Sequence, residues 1–133
     1  MKHAIIALAV TLLFASLVRA EQKPCPPGDE FTRCRAEQGE SIAQFEIGMA
    51  AFKLAKGTGD YKEALVWLTR AAKAGHHHAE AALGFMYWEG WGVPVDNVKA
   101  YRWFKRAGKG GFPSADQWME KIEDEIMLDL IRE

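Results

Sequence analysis

Shifting the chain by 36 residues lays one segment on the next without a gap, and this internal repetition constrains the fold more than any other feature. Gly48 falls on Gly84, Asp60 on Asp96, Ala64 on Ala100, Trp67 on Trp103, Arg70 on Arg106, Ala71 on Ala107, Gly75 on Gly111 and Ala79 on Ala115. Most of these are glycine, alanine, tryptophan or a cap-forming aspartate, the types that helix packing and helix ends restrict. A period of this length denotes a small supersecondary unit that cannot bury both its faces alone and is stabilised by stacking on its neighbour.

Each unit reads as two helices joined by a turn. In the second copy, Ala82, Leu83, Met86 and Tyr87 make an apolar stripe at three- and four-residue spacing, which predicts a first helix over 79–89. Gly90-Trp91-Gly92-Val93-Pro94-Val95 breaks it, and Asp96 is placed to cap a second helix running through Ala100, Trp103, Phe104 and Ala107 to the glycines at 108, 110 and 111. The first copy predicts helices over 41–56 and 61–74, the latter opened by Asp60 and Glu63 as a capping box, with a plainer turn at Gly57-Thr58-Gly59. A fifth helix is expected from Ser114 through Trp118, Ile122 and Ile126. Its acidic content, and Glu120 where the offset calls for glycine, mark it as a cap on the stack.

The expected organisation is therefore a signal peptide over 1–20, an N-terminal extension over 21–38, repeats over 39–78 and 79–114, and a capping helix over 115–133. The signal is read from the apolar run 4–18 behind Lys2, with Val18-Arg19-Ala20 as cleavage site, and it is too short to remain as a membrane span. Export implies an oxidising compartment, where Cys25 and Cys34 are expected to pair. Losing Lys2 and Arg19 leaves a mildly acidic remainder with both signs interleaved, so nucleic acid is excluded as a partner.

The residues AlaAlaLeuGlyPheMetTyr at 81–87, GlyTrpGlyVal at 90–93, Asp96, LysAla at 99–100, TrpPheLysArgAla at 103–107 and Gly111 resemble a Sel-one-like repeat (SLR). The resemblance is close for 79–115, looser for 43–78, partial for the last helix and absent before about residue 38. It implies an all-α fold, a right-handed superhelix (α-solenoid) of two helical hairpins plus a C-terminal capping helix, related to tetratricopeptide repeats and used as a scaffold for protein contacts. One branch of that family carries a disulfide in every repeat and is linked to penicillin binding. Neither repeat here contains cysteine, so that chemistry is not carried over.

Residues that invite a chemical role have plainer explanations. His76-His77-His78 is read as a solvated turn between repeats, since adjacent side chains diverge and a metal site needs further ligands. Ser41 and Ser114 are helix-start residues, and no nucleophile–base–orienter set is discernible. No cofactor is expected. Four aromatics lie off the inferred seam, Phe85, Trp88, Trp91 and Phe112, and these are the candidate protein-binding residues. The expectation is a periplasmic or secreted bacterial protein without enzymatic activity, binding a protein or peptide as adaptor, scaffold or effector inhibitor. So short an array also calls for a partner or self-association, through the last helix. The alternative is an envelope enzyme or ligand-binding protein acting on cell-wall material.

Overall fold

The computed structural model describes residues 24–28 and 30–132. The expected signal segment and its cleavage after Ala20 lie outside the described residues. Six helices follow in order among the described residues: α1 (Glu30–Glu37), α2 (Ser41–Thr58), α3 (Lys62–Lys73), α4 (His77–Glu89), α5 (Asn97–Lys109) and α6 (Ala115–Arg132). Each packs chiefly on the next, and no strand occurs among the described residues. The fold is an all-α helical repeat solenoid, as expected, with α2–α3 and α4–α5 as its two hairpins. No helix among the described residues is long and apolar enough to cross a membrane.

Close helix approaches within each hairpin sit at the repeated glycines Gly48 and Gly84. A Cβ built on Gly48 would lie 2.8 Å from Leu68 Cγ, and one built on Gly84 would lie 2.9 Å from Phe104 Cε2. Leu68 and Phe104 are themselves 36 residues apart, so one contact occurs twice: a glycine of the first helix receives a large side chain of the second. Both large residues are fully buried. Around them the repeated alanines, Ala64, Ala71, Ala100 and Ala107, are each at most 1% exposed, which lets the backbones come together. One core forms between the hairpins from Leu68, Ala72, Ala79, Leu83 and Met86; a second, around Phe104, is closed by Ile122 of α6.

The second helix of each hairpin ends the same way. Gly75 and Gly111 have φ of 82° and 96°, and each terminus repeats three backbone bonds: Ala74 N–H to Arg70, Gly75 N–H to Ala72 and His76 N–H to Ala71, then Gly110 to Arg106, Gly111 to Gly108 and Phe112 to Ala107. This is a left-handed glycine closure that satisfies the last carbonyls of the helix. The identical set occurs a third time, one period earlier: Gln38 N–H to Cys34, Gly39 N–H to Ala36 and Glu40 N–H to Arg35, with Gly39 at φ 94°. Helix α1 therefore stands where the second helix of a preceding unit would stand, in a stretch the sequence reading treats as an extension. Cys25 and Cys34 are bonded, with Cα atoms 5.6 Å apart, so a disulfide ties the segment before α1 to that helix. On the chain-entropy model, closing so short a loop stabilises by roughly 2–3 kcal/mol.

Several helix starts differ from expectation for local reasons. Helix α4 begins at His77, two residues early, because His76 caps it: Nδ1 accepts the Ala79 N–H at 3.3 Å while the ring stacks on Phe45 at 4.5 Å. Asp96 caps α5 as expected, accepting the Lys99 N–H at 2.8 Å. Asp60 forms no capping box with Glu63. Its carboxylate accepts the Lys62 N–H at 3.2 Å, and Glu63 instead reaches Arg33 at 3.4 Å. Thr58 extends α2 past Lys56, and Gly59 then closes it at φ 77°.

Gly84→Ala is expected to destabilise the chain by about 1–2 kcal/mol, the overpacking against Phe104 outweighing the better helix propensity of alanine. Urea unfolding checks this, with Phe104→Leu, the residue type at Leu68, recovering part of the loss; an unchanged or raised midpoint would refute the close-approach argument. A second expectation concerns acid. Burial, and then the neighbouring His78 and His77, hold His76 below its ordinary 6.5. The unfolded chain thus takes up this proton first, so the cap's contribution is complete above that pH and declines as pH falls through and below it to the depressed folded value. His76→Asn, a capping residue that does not titrate, is expected to flatten this part of the stability–pH curve.

Candidate functional site

The four aromatics singled out from sequence do not form one patch. Trp88 lies at the α4–α6 junction, its ring 5.1 Å from Trp118, its indole N–H donating to Glu125 at 2.7 Å and the Lys121 ammonium 4.4 Å from its centroid. Phe112 packs beside the second core and meets His78 edge-on at 5.8 Å. Phe85 contacts Phe104 and Trp118 edge-on at 4.9 and 4.7 Å. Trp91 projects from the α4–α5 turn back onto the first hairpin, 5.2 Å from Phe52 and 6.4 Å from Tyr61. Much of this aromatic surface thus serves packing between successive units.

Phe85 and Trp91 nevertheless come together in one place. With Met49, Phe52 and Ala82 they line a cleft of about 100 Å³ between α2 and α4, the first helices of the two hairpins. Its walls are almost entirely apolar. The Lys56 ammonium stands at the rim, 5.6 Å from the Phe52 centroid and 6.0 Å from that of Trp91. Ala82 belongs to the apolar stripe read from sequence, whereas Met49 and Phe52 were not singled out. The available signal was register: Phe52 and Trp88 are 36 apart, as are Met49 and Phe85.

The opposite side of the array carries a repeated cation–aromatic motif. Arg70 lies over Trp67 at 4.8 Å and Arg106 over Trp103 at 4.9 Å. In the second copy Arg106 also pairs at 2.9 Å with Glu80, a nearly buried carboxylate on α4. Gln44, one period earlier than Glu80, is likewise buried and donates directly to the Ala36 carbonyl at 2.9 Å. Glu80 and Arg106 tie the two helices of one hairpin together, while Gln44 reaches back to α1 and Arg106 also donates to the Ala72 carbonyl of α3 at 3.5 Å, so these groups position the helices within and between units. The histidines are similarly engaged, His76 as a cap, and among the described residues no group of three His, Cys, Asp or Glu is arranged to hold a metal ion.

Comparison with known proteins follows this geometry. A solved Sel1 repeat protein from Oxalobacter formigenes superposes with a TM-score of 0.58 at 34% identity, over 68% of this chain and 68% of that one. The structure of c5321, described as a protective antigen present in uropathogenic Escherichia coli strains displaying an SLR fold, superposes with a TM-score of 0.64 at 34% identity, over 75% of this chain and 21% of that one. Among curated proteins, chitin synthase regulatory factor 3 of Schizosaccharomyces pombe is 37% identical over 95 residues, 68% of this chain. The chain spans about a tenth of the length of that relative.

The yeast relative corrects the expected localisation. A eukaryotic regulatory factor points away from a bacterial periplasmic or secreted protein. The physical reason is that glycine and alanine spacing encodes how hairpins stack and is indifferent to compartment. The Sel1 repeat model matches residues 41–76 and 77–112, units that coincide with the two hairpins and suggest a protein–protein interaction module; the chain belongs to the Sel1 repeat family.

Proposed function

We propose that this chain is a non-enzymatic adaptor or scaffold that binds a protein or peptide partner on the face formed by α2 and α4. The observation that carries this reading is the apolar cleft between those helices, walled by Met49, Phe52, Phe85 and Trp91 and rimmed by Lys56. Concave apolar sites with a charged rim suit side-chain anchors, and large aromatics are the residues on which binding energy concentrates. The name of the yeast relative, a regulatory factor of a synthase, agrees with action by binding an enzyme or its assembly rather than by catalysis. Self-association through α6 belongs to the same reading: Met127, Leu128 and Ile131 are 57%, 53% and 76% exposed along its last turns.

Photo-crosslinking distinguishes the faces. A photoreactive residue replaces Glu46, exposed one turn before Met49 on α2, or Val98, exposed on α5. Discrete adducts with another protein are expected from position 46 and not from position 98. Equal patterns from both positions, or adducts from neither, would remove the α2–α4 face as the binding surface.

A further inference from the structure

The cleft beside Ala82 has an internal counterpart that shows what fits it. Advancing three of its lining residues by 36 positions moves from the α2–α4 junction to the α4–α6 junction: Met49 becomes Phe85, Phe52 becomes Trp88 and Ala82 becomes Trp118, while the other two, Phe85 and Trp91, become Lys121 and Met127. At the second junction the Trp118 indole occupies the space between the two equivalent walls, 4.7 Å from Phe85 and 5.1 Å from Trp88. At the first, alanine stands in its place and the cleft is what remains. A cation stands over the rings at both junctions, though from different helices: Lys121 of α6, one period after Phe85, lies 4.4 Å from the Trp88 centroid and 5.4 Å from that of Trp118, and Lys56 of α2 lies 5.6 Å from that of Phe52 and 6.0 Å from that of Trp91.

We propose that the Ala82 cleft is a socket for one aromatic side chain of a partner protein, seated as Trp118 is seated one layer on, with an acidic residue of the partner beside it facing Lys56. This rests on the interaction reading above and specifies it. Three features select this occupant. Phe85 both packs on Trp118 and lines the cleft, so the socket continues an interface that is already packed against an indole. The walls offer ring edges and faces, which favour an aromatic guest in edge-to-face or offset contact over an aliphatic one. Lys56 has no ion pair among the described residues, in contrast to Lys99 and Arg106, so a carboxylate next to the anchor finds an unspent cation above a half-buried ring.

The test uses the full chain, indole as a free probe, and Ala82→Trp, which places in the socket the side chain found at its counterpart. Indole is expected to shift the Ala82 methyl and the Phe52 and Phe85 ring resonances saturably in the millimolar range, as suits so small a ligand. Ala82→Trp is expected to abolish the shifts while circular dichroism and thermal unfolding stay native; Ala82→Leu serves in its place should the larger residue fail to fold. Absence of saturable shifts in the parent, or equal shifts in a folded filled variant, overturns the socket. A displayed peptide library, selected on the parent, then tests the partner. Enrichment of an aromatic next to an acidic residue, with binding lost in the filled variant and weakened by Lys56→Glu, supports the proposal. Selected peptides without aromatic enrichment, bound equally by the filled variant, overturn it while leaving the interaction reading intact. An indole-binding socket that selects no peptide overturns the partner assignment.

Discussion

The close crossing of the two helices in each hairpin, glycine on one and a large buried side chain on the other, is the constraint from which the rest follows. Leu68 fits against Gly48 and Phe104 against Gly84 only because no Cβ intervenes. That approach brings the flanking alanines into contact and fixes the hairpin angle. Position 120 on α6 carries glutamate instead, a residue that cannot admit another helix at such range.

The hairpins are not interchangeable, and their differences lie where function is sought. Where repeat-equivalent positions face the packing within a hairpin they stay small or apolar. Where they face a neighbouring unit they diverge, Ala82 against Trp118. One junction is filled from within the chain and the other is left open. A structural repeat thus supplies the walls twice and the contents once.

The helices and their partners were legible in the sequence because small residues at a fixed period leave few ways to stack. Gly75, Gly111, Asp96 and the Leu83–Met86 stripe act where their spacing placed them. Other elements were hidden. Helix α1 has two turns and little apolar content, so neither periodicity nor resemblance marked it; its one signal was Gly39, a full period before Gly75. The His76 cap was unreadable because imidazole is an uncommon capping acceptor, and its role depends on the ring being held against Phe45. Of the four aromatics picked out, Phe85 and Trp91 share the cleft, whereas Trp88 and Phe112 are engaged by Glu125 and His78. Such pairings, between residues 34 or more positions apart, arise only once the layers stack.

The first and last of the described helices are finished differently. In a linear array each layer is held only by its neighbours, so loss of order begins at an end and spreads inward. Helix α1 carries the short Cys25–Cys34 loop, whereas α6 is a long acidic helix whose last turns expose apolar side chains to water. Opening at α6 runs back toward α5 and α4. The first step withdraws Trp118 from Phe85 and Trp88, turning the filled junction into a second vacancy of the same kind as the first.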